Sequence, residues 1–319
     1  MERLLLVHEH AANWLGRLQR RFPGLPVEVC AVPAQLPQLL TEFRPTIAYS
    51  CKTEAMPGPA HRPLLACPSL TWLHVGGSGY DHLAGWEALP LVLSNSRGVL
   101  APYLAEAVLG ALLALSFGLP RFLRQQQARH WQKHAWRPLA GRTLLVVGTG
   151  AVGRAVAKLA GGLGLRTIGL NRTVASLPGF DAVRPLGELH ACLAEADIVS
   201  LHLRLTPTTR HLIDAAALAA MPAGAMLVNT GRGELVDTAA LVDALTQRRL
   251  AGAYLDVFEA EPLPAESPLW QLDNVILTPH CADLVADWEL VLADFFLDNL
   301  ERRLGGRPLR NVVTPDPSA

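Results

Sequence analysis

Three polar residues each follow directly on a short apolar run: Arg232 in NTGRGELVD, Glu261 in DVFEAEPLP and His280 in TPHCAD. An arginine presents a planar fork of donors that can grip a carboxylate and polarise a neighbouring oxygen. A histidine can give or take a proton near neutral pH. A glutamate hydrogen-bonded to that ring would fix its tautomer and favour the protonated form. Taken singly, each has a plainer reading: a surface arginine in a turn, a glutamate before proline, a histidine capping a helix. All three at equivalent strand ends point to one site.

A second pattern supplies the setting. Gly148, Gly150 and Gly153 of GTGAVG follow the run TLLVV and open a helix whose Val152, Val156, Leu159 and Leu163 form an apolar face. The first glycine permits a tight turn, the second lets backbone approach a pyrophosphate, and the third lets the helix pack closely on a sheet. The N–H groups at the helix start, around Ala151 and Val152, and the positive end of its dipole would hold the phosphates. At the end of the next strand, IGLNRT, a dinucleotide site specific for NAD would carry Asp or Glu on the ribose hydroxyls. The residue there is Asn171, followed by Arg172 and Thr173. A neutral amide removes the repulsion of a 2′-phosphate, Arg172 can bind that phosphate, and Thr173 can add a hydroxyl. The pattern predicts NADPH in preference to NADH.

These residues need elements to position them. One set of strand-like runs is LLLVH (4–8), VEVCAV (27–32), TIAYS (46–50), LTWLHV (70–75) and LVLSN (91–95). A second is TLLVVG (143–148), RTIGL (166–170), DIVSLHL (197–203), AMLVN (225–229), AYLDVF (253–258) and VILTP (275–279). Buried strands alternating with helical stretches predict parallel sheets with right-handed crossovers. Two sets predict two doubly wound α/β domains. Two long helical patterns, 99–119 and 283–304, read as the crossings between them. The first domain, residues 1–98 and 284–319, is then discontinuous, and the second, 99–283, is inserted in it. The tail TPDPSA reads as disordered.

Composition narrows the classes further. The 319 residues carry 28 basic and 28 acidic side chains, so neither nucleic acid nor an anionic membrane is an expected partner. Five scattered cysteines without a CxxC point to reduced thiols in the cytoplasm. The start, MERLLLVHEH, has too short an apolar run for a secretory signal. The apolar stretch 99–119 is interrupted by Pro102 and Glu106, which excludes a membrane span and predicts a buried helix with a partner for any buried Glu106. His8-Glu9-His10 lacks a third ligand at metal spacing, so no metal is expected. Cys281 reads as a small buried side chain, and Trp270 and Trp288 read as core.

The chain resembles the NAD(P)-dependent D-isomer-specific 2-hydroxyacid dehydrogenases, especially their glyoxylate/hydroxypyruvate reductase branch. The resemblance rests on GSGYDHL (77–83), NSRGV (95–99), AEAVLGALLAL (105–115), LAGRTLLVVGTGAVG (139–153), LHLRLTPTTRHLI (201–213), NTGRGELVDTAALVDAL (229–245), GAYLDVFEAEPLPAESPLW (252–270) and NVILTPHCAD (274–283). It implies a flavodoxin-like substrate domain with an inserted Rossmann domain, and reduction of a small 2-oxo acid to the D-2-hydroxy acid. Arg232 would grip the substrate carboxylate and polarise its ketone, His280 would protonate the developing alkoxide, and Glu261 would orient His280. It further implies that backbone N–H groups of Ser78 and Gly79 bind the substrate carboxylate and that Asp256 contacts the nicotinamide amide. Leu203, Arg204, Thr209, Thr230, Gly231 and Ala282 would line the cofactor groove, with Arg204 standing where the family usually has proline. A twofold homodimer paired through the nucleotide domains is also implied. The same fold serves nucleotide-sensing corepressors; the sequence shows no basic patch or regulatory extension in support of that alternative.

Overall fold

The computed structural model describes residues 2–314, so all of the tail TPDPSA except Thr314 lies outside the described residues. The chain packs as two compact units. One holds the residues up to Leu100 together with those from Ala286 onward, the other Ala101–Val285. Each junction lies two residues beyond the one read from the sequence.

The first unit is built on β1 (Leu4–Val7), β2 (Val27–Cys30), β3 (Ile47–Ser50), β4 (Trp72–Val75) and β5 (Val92–Asn95). Every pairing is parallel, in the order β2-β1-β3-β4-β5. Helices α1 (Ala12–Arg21) and α2 (Leu36–Phe43) make the crossovers among the first three strands. β1, β3 and β4 are buried throughout, which explains why they read as unbroken apolar runs rather than alternating ones.

The second unit opens with α3 (Ala101–Phe117) and α4 (Leu119–Gln127). Its seven strands are β6 (Thr143–Val147), β7 (Arg166–Asn171), β8 (Ala182–Pro185), β9 (Ile198–Leu201), β10 (Ala225–Asn229), β11 (Leu250–Leu255) and β12 (Val275–Leu277). They lie parallel in the order β12-β11-β10-β9-β6-β7-β8, with α5 (Ala151–Gly162), α6 (Leu189–Ala194), α7 (Ala215–Ala220) and α8 (Thr238–Thr246) between them. On one sheet face, Val108, Leu109 and Leu112 of α3 and Val156 and Ala160 of α5 pack with Leu144, Val146 and Val228. This is the Rossmann arrangement, and its order reverses between β6 and β9. The last helix, α9 (Trp288–Leu304), returns to the first unit, where Leu292, Phe296 and Leu300 cover Leu4, Leu6, Tyr49 and Trp72.

Two expectations are corrected and one strand is added. The helix read as 99–119 ends at Phe117, because Gly118 takes φ 79°, and α4 departs at 64° with Pro120 in its first turn. The helix read as 283–304 begins at Trp288, since Asp287 sits in the left-handed region at φ 58° and 283–287 form turns. The strand β8 was not foreseen: it is a half-buried edge strand ending in Pro185, with only Ala182 and Val183 apolar before it. No single helix among the described residues is long and apolar enough to cross a membrane.

Candidate active site

The reversal of strand order opens a crevice beyond the carboxyl ends of β6 and β9. Gly148 lies there at φ 101°, and a Cβ on it would stand 2.6 Å from His202 O. A Cβ on Gly153 would stand 2.1 Å from Gly148 O, so only glycine lets α5 lie this close to the strand. Gly150 faces open space. No side chain caps α5, whereas α7 and α8 are capped by Asp214 and Asp237, which accept from Ala217 N at 2.8 Å and Ala240 N at 3.0 Å. The first N–H groups of α5, those of Ala151 and Val152, are thus left for an external acceptor. This cradle fits a pyrophosphate.

Beside it, β7 ends in Asn171, whose Oδ1 accepts from Arg172 N at 2.9 Å; the side chains of Arg172 and Thr173 are exposed. Across the crevice Leu203 is half-buried and Arg204 exposed. Thr209 is buried with its hydroxyl donating to Arg204 O at 2.8 Å, which closes that loop on itself. The Thr230 hydroxyl lies 3.4 Å from His202 Nδ1. A Cβ on Gly231 would stand 3.3 Å from Leu203 O, so the loops after β9 and β10 approach closely here.

The three candidate reacting residues occupy loops after β10, β11 and β12. His280 Nδ1 lies 2.8 Å from Glu261 Oε2, and Glu261 Oε1 accepts from Phe258 N at 3.0 Å. With Nδ1–H donated to the carboxylate, Nε2 is left to face a reactant. His280 itself is in the left-handed region at φ 52°. It is held there by its N–H, which reaches Asp256 O at 2.8 Å. Asp256, 3 % exposed, anchors the same loop through its carboxylate. Oδ1 accepts from Thr278 Oγ1 at 2.5 Å, Cys281 N at 2.9 Å and Ala282 N at 3.1 Å. Arg232 is half-buried, with NH1 on Gly231 O at 2.7 Å, and its own carbonyl accepts from Asn229 Nδ2 at 2.8 Å. A Cβ on Gly233 would stand 1.9 Å from the carbonyl carbon of Phe258. The turn carrying Arg232 therefore lies backbone to backbone against the segment leading to Glu261.

A paired imidazole and carboxylate beside a guanidinium, next to a dinucleotide cradle, is the equipment of a hydride-transfer enzyme acting on a carboxylic acid. Residues 109–282 match the family model described as D-isomer specific 2-hydroxyacid dehydrogenase, NAD binding domain. The chain belongs to the D-isomer specific 2-hydroxyacid dehydrogenases. It is 37% identical over 264 residues to a glyoxylate reductase of Korarchaeum cryptofilum, covering 79% of this chain and 78% of that protein. A family member from Aeromonas salmonicida superposes with a TM-score of 0.87 at 33% identity, covering 99% of both chains. A 2-hydroxyacid dehydrogenase of Xanthobacter autotrophicus, solved with NADPH and MES, gives 0.78 at 30% identity, again over 99% of both. The protein is an oxidoreductase using a nicotinamide cofactor, which when bound would supply the hydride in its reduced form and take it back in its oxidised form.

The structure of the dehydrogenase adds residues the sequence reading passed over. His202 directly follows β9, its Nε2 2.8 Å from Ser200 Oγ, and burial pushes its pKa down to about 4, so the ring beside the cofactor crevice is neutral. Asp283 lies within the influence of both His280 and Arg232; burial raises its pKa, while those two cations oppose the rise. Only its place three residues after His280 could have flagged it. Burial also pushes the Cys281 thiol up, which makes it a poor nucleophile.

Other expectations fare differently. Trp270 is not core: it is 55% exposed on a short 3-10 turn, with its indole donating to Pro264 O at 2.9 Å. Trp288 does pack with the first unit's core, its ring centroid 6.2 Å from that of His8. Glu106 is exposed and needs no buried partner. His10 of the HEH run lies 2.7 Å from Glu289, and no cluster of three metal-type ligands occurs among the described residues. Ser78 and Gly79 follow β4 in the first unit. The Ser78 carbonyl accepts from Asn95 Nδ2 at 2.8 Å, and among the described residues the N–H groups of Ser78 and Gly79 have no internal acceptor.

Proposed function

We propose that the protein reduces a small 2-oxo acid, with glyoxylate and hydroxypyruvate as the first candidates, to the D-2-hydroxy acid using NADPH. The observation that carries the chemistry is the 2.8 Å contact between His280 Nδ1 and Glu261 Oε2. That contact leaves Nε2 to hold the proton that passes to the carbonyl oxygen as the hydride arrives at carbon. The Glu261 carboxylate offsets the positive charge the ring carries before transfer and keeps the ring in one orientation. Arg232 binds the substrate carboxylate and draws electron density from the ketone oxygen. In the oxidative direction Nε2 takes the hydroxyl proton.

The NADPH preference is supported by Asn171 and Arg172 at the end of β7, where no carboxylate opposes a 2′-phosphate. A homodimer formed by the nucleotide-binding units is supported by a run of exposed apolar side chains along α3, α4 and the segment after them. Leu113, Phe117, Leu123 and Trp136 are exposed there, and Trp131 is 94% exposed.

The test is steady-state oxidation of NADPH and NADH with a panel of 2-oxo acids, followed by the nicotinamide absorbance. Turnover with glyoxylate or hydroxypyruvate is expected, faster with NADPH, and His280→Ala is expected to lower it by ~100-fold or more with cofactor binding retained. No turnover with any 2-oxo acid would refute the proposed substrate class. Equal efficiency with NADH would refute the cofactor preference alone. Light scattering that finds a monomer at micromolar concentration would refute the dimer.

A further inference from the structure

Between Glu106 and Asp181 the chain contains no acidic residue and ten Arg or Lys. Folding neutralises part of this run. Arg124 faces Asp273, Arg137 and Arg142 face Asp197, and Arg166 faces Glu195. Arg154, Lys158 and Arg172 enter no ion pair among the described residues. Two of them, Arg154 and Lys158, stand one turn apart on the exposed face of α5, a spacing at which like charges repel. Arg154 is also in the first helical turn, where the helix dipole is positive and a cation is disfavoured. Both placements are unfavourable unless an anion completes them.

The surroundings say where such an anion would sit. Arg154 and Lys158 rim a cavity of about 670 Å³, whose other walls are Ala155, Leu177, Pro178 and Gly179. Leu177–Gly179 belong to the loop that leaves β7 through Asn171, Arg172 and Thr173. That loop returns to α5 at Gly179, where a Cβ would stand 3.5 Å from Lys158 N. The guanidinium of Arg154 folds back over the glycine-rich turn, with NH1 3.5 Å from Thr149 O. In that same turn the buried Thr149 hydroxyl has no hydrogen-bond partner among the described residues. The pyrophosphate belongs to the N–H groups of that turn, and the ribose next to it belongs beyond the end of β7. The remaining anion a dinucleotide can offer there is a phosphate on the ribose 2′ oxygen.

We infer that Arg154 is a second cationic arm on the 2′-phosphate of NADPH, opposite Arg172, with Lys158 adding to the field. The inference rests on the NADPH preference proposed above and assigns it a second determinant. The two arms differ in kind. Arg172 rides on a loop and must be ordered on binding, whereas Arg154 is carried by a helix packed through Val156 and Ala160 and is already in place. Discrimination between the two cofactors is then held partly by the glycine-turn helix, not by the β7 loop alone.

The test is calorimetric titration of the full-length protein with 2′,5′-ADP and with 5′-AMP, which differ only in the 2′-phosphate. Wild type is expected to bind 2′,5′-ADP at least ~10-fold more tightly, and Arg154→Gln to lose ~10-fold for 2′,5′-ADP with 5′-AMP unchanged. Lys158→Gln is expected to lose a few-fold, and that loss is expected to vanish in high salt. Arg172→Gln is the control. If wild type discriminates, Arg172→Gln abolishes the difference and Arg154→Gln leaves it intact, the second arm is refuted while the NADPH preference stands. Equal losses of both ligands in Arg154→Gln would also refute it, because they would mark a role in shaping the turn. A wild type that binds the two ligands alike would remove the preference and the second arm together.

Discussion

Replacing Asp256 by alanine tests whether the loop bearing His280 is held by one buried carboxylate. In the wild type that carboxylate accepts from the Thr278 hydroxyl and from the N–H groups of Cys281 and Ala282. Removing it strands two partly buried backbone donors and a hydroxyl, and each stranded donor costs up to about 1–3 kcal/mol. The costs are not additive, because the loop can open and hydrate its donors; about 3 kcal/mol is a fair net loss for the ordered loop. At about 1.4 kcal/mol per tenfold, the ratio of ordered to open loop should fall ~100-fold, and kcat/KM by up to the same factor. The decisive assay is hydrogen–deuterium exchange at Cys281 and Ala282, read beside turnover. Both amides should lose ~100-fold in protection, while amides in β6 and α5 stay protected. If kcat/KM falls with protection at Cys281 and Ala282 unchanged, Asp256 acts on the bound cofactor and the anchoring argument is wrong.

Glu261→Gln keeps a hydrogen-bond acceptor for His280 but removes the charge. The loss should appear in kcat/KM for reduction with cofactor binding unchanged; wild-type kcat/KM would separate the two residues functionally. Asp283 is held above the usual carboxylate range by burial, so its ionisation penalises the folded state as pH rises through that raised value. Asp283→Asn should therefore raise the melting temperature at pH above that raised value and leave it unchanged below the usual carboxylate range, and it should lower KM for a 2-oxo acid by relieving competition for Arg232. Thermal melts across pH, with KM alongside, check both. Gly233→Ala would push a methyl to within 1.9 Å of the Phe258 carbonyl carbon, forcing apart the two segments that carry Arg232 and Glu261. A loss of about 1–3 kcal/mol in stability is expected together with a disproportionate loss of kcat/KM, and wild-type kinetics would show that the segments need not touch.

The parts of this site legible in the sequence were those encoded by types at fixed spacing. GTGAVG after TLLVV specifies a turn that only glycine can make, and Gly148 and Gly153 show why in their contacts with His202 and with each other. The apolar runs announced their strands because parallel strands are covered on both faces. β8 escaped notice because an edge strand with half-buried residues needs no such run. The break at Gly118 was written in the sequence as Gly-Leu-Pro, yet the apolar continuity around it masked the signal. Trp270 was misjudged because an aromatic in a turn can satisfy its indole on a carbonyl and stay exposed. Asp256 and Asp283 show the harder limit. What a carboxylate does depends on which N–H groups and charges the fold turns toward it, and those come from residues at other strand ends.

The return of α9 to the first unit has a consequence for how the chain is made. The nucleotide-binding unit is one continuous stretch, so its sheet can close before synthesis ends. The first unit is finished only when Leu292, Phe296 and Leu300 arrive, almost three hundred residues after Leu4 and Leu6, the side chains they cover. Until then the face formed by Leu4, Leu6, Tyr49 and Trp72 is covered in part by Trp14 and Leu18 of α1, and the remainder waits on the ribosome as open apolar surface. A nascent chain stalled before Trp288 should therefore present a dinucleotide-competent domain tethered to a chaperone substrate. The final helix is the step that turns the nascent polypeptide into an enzyme.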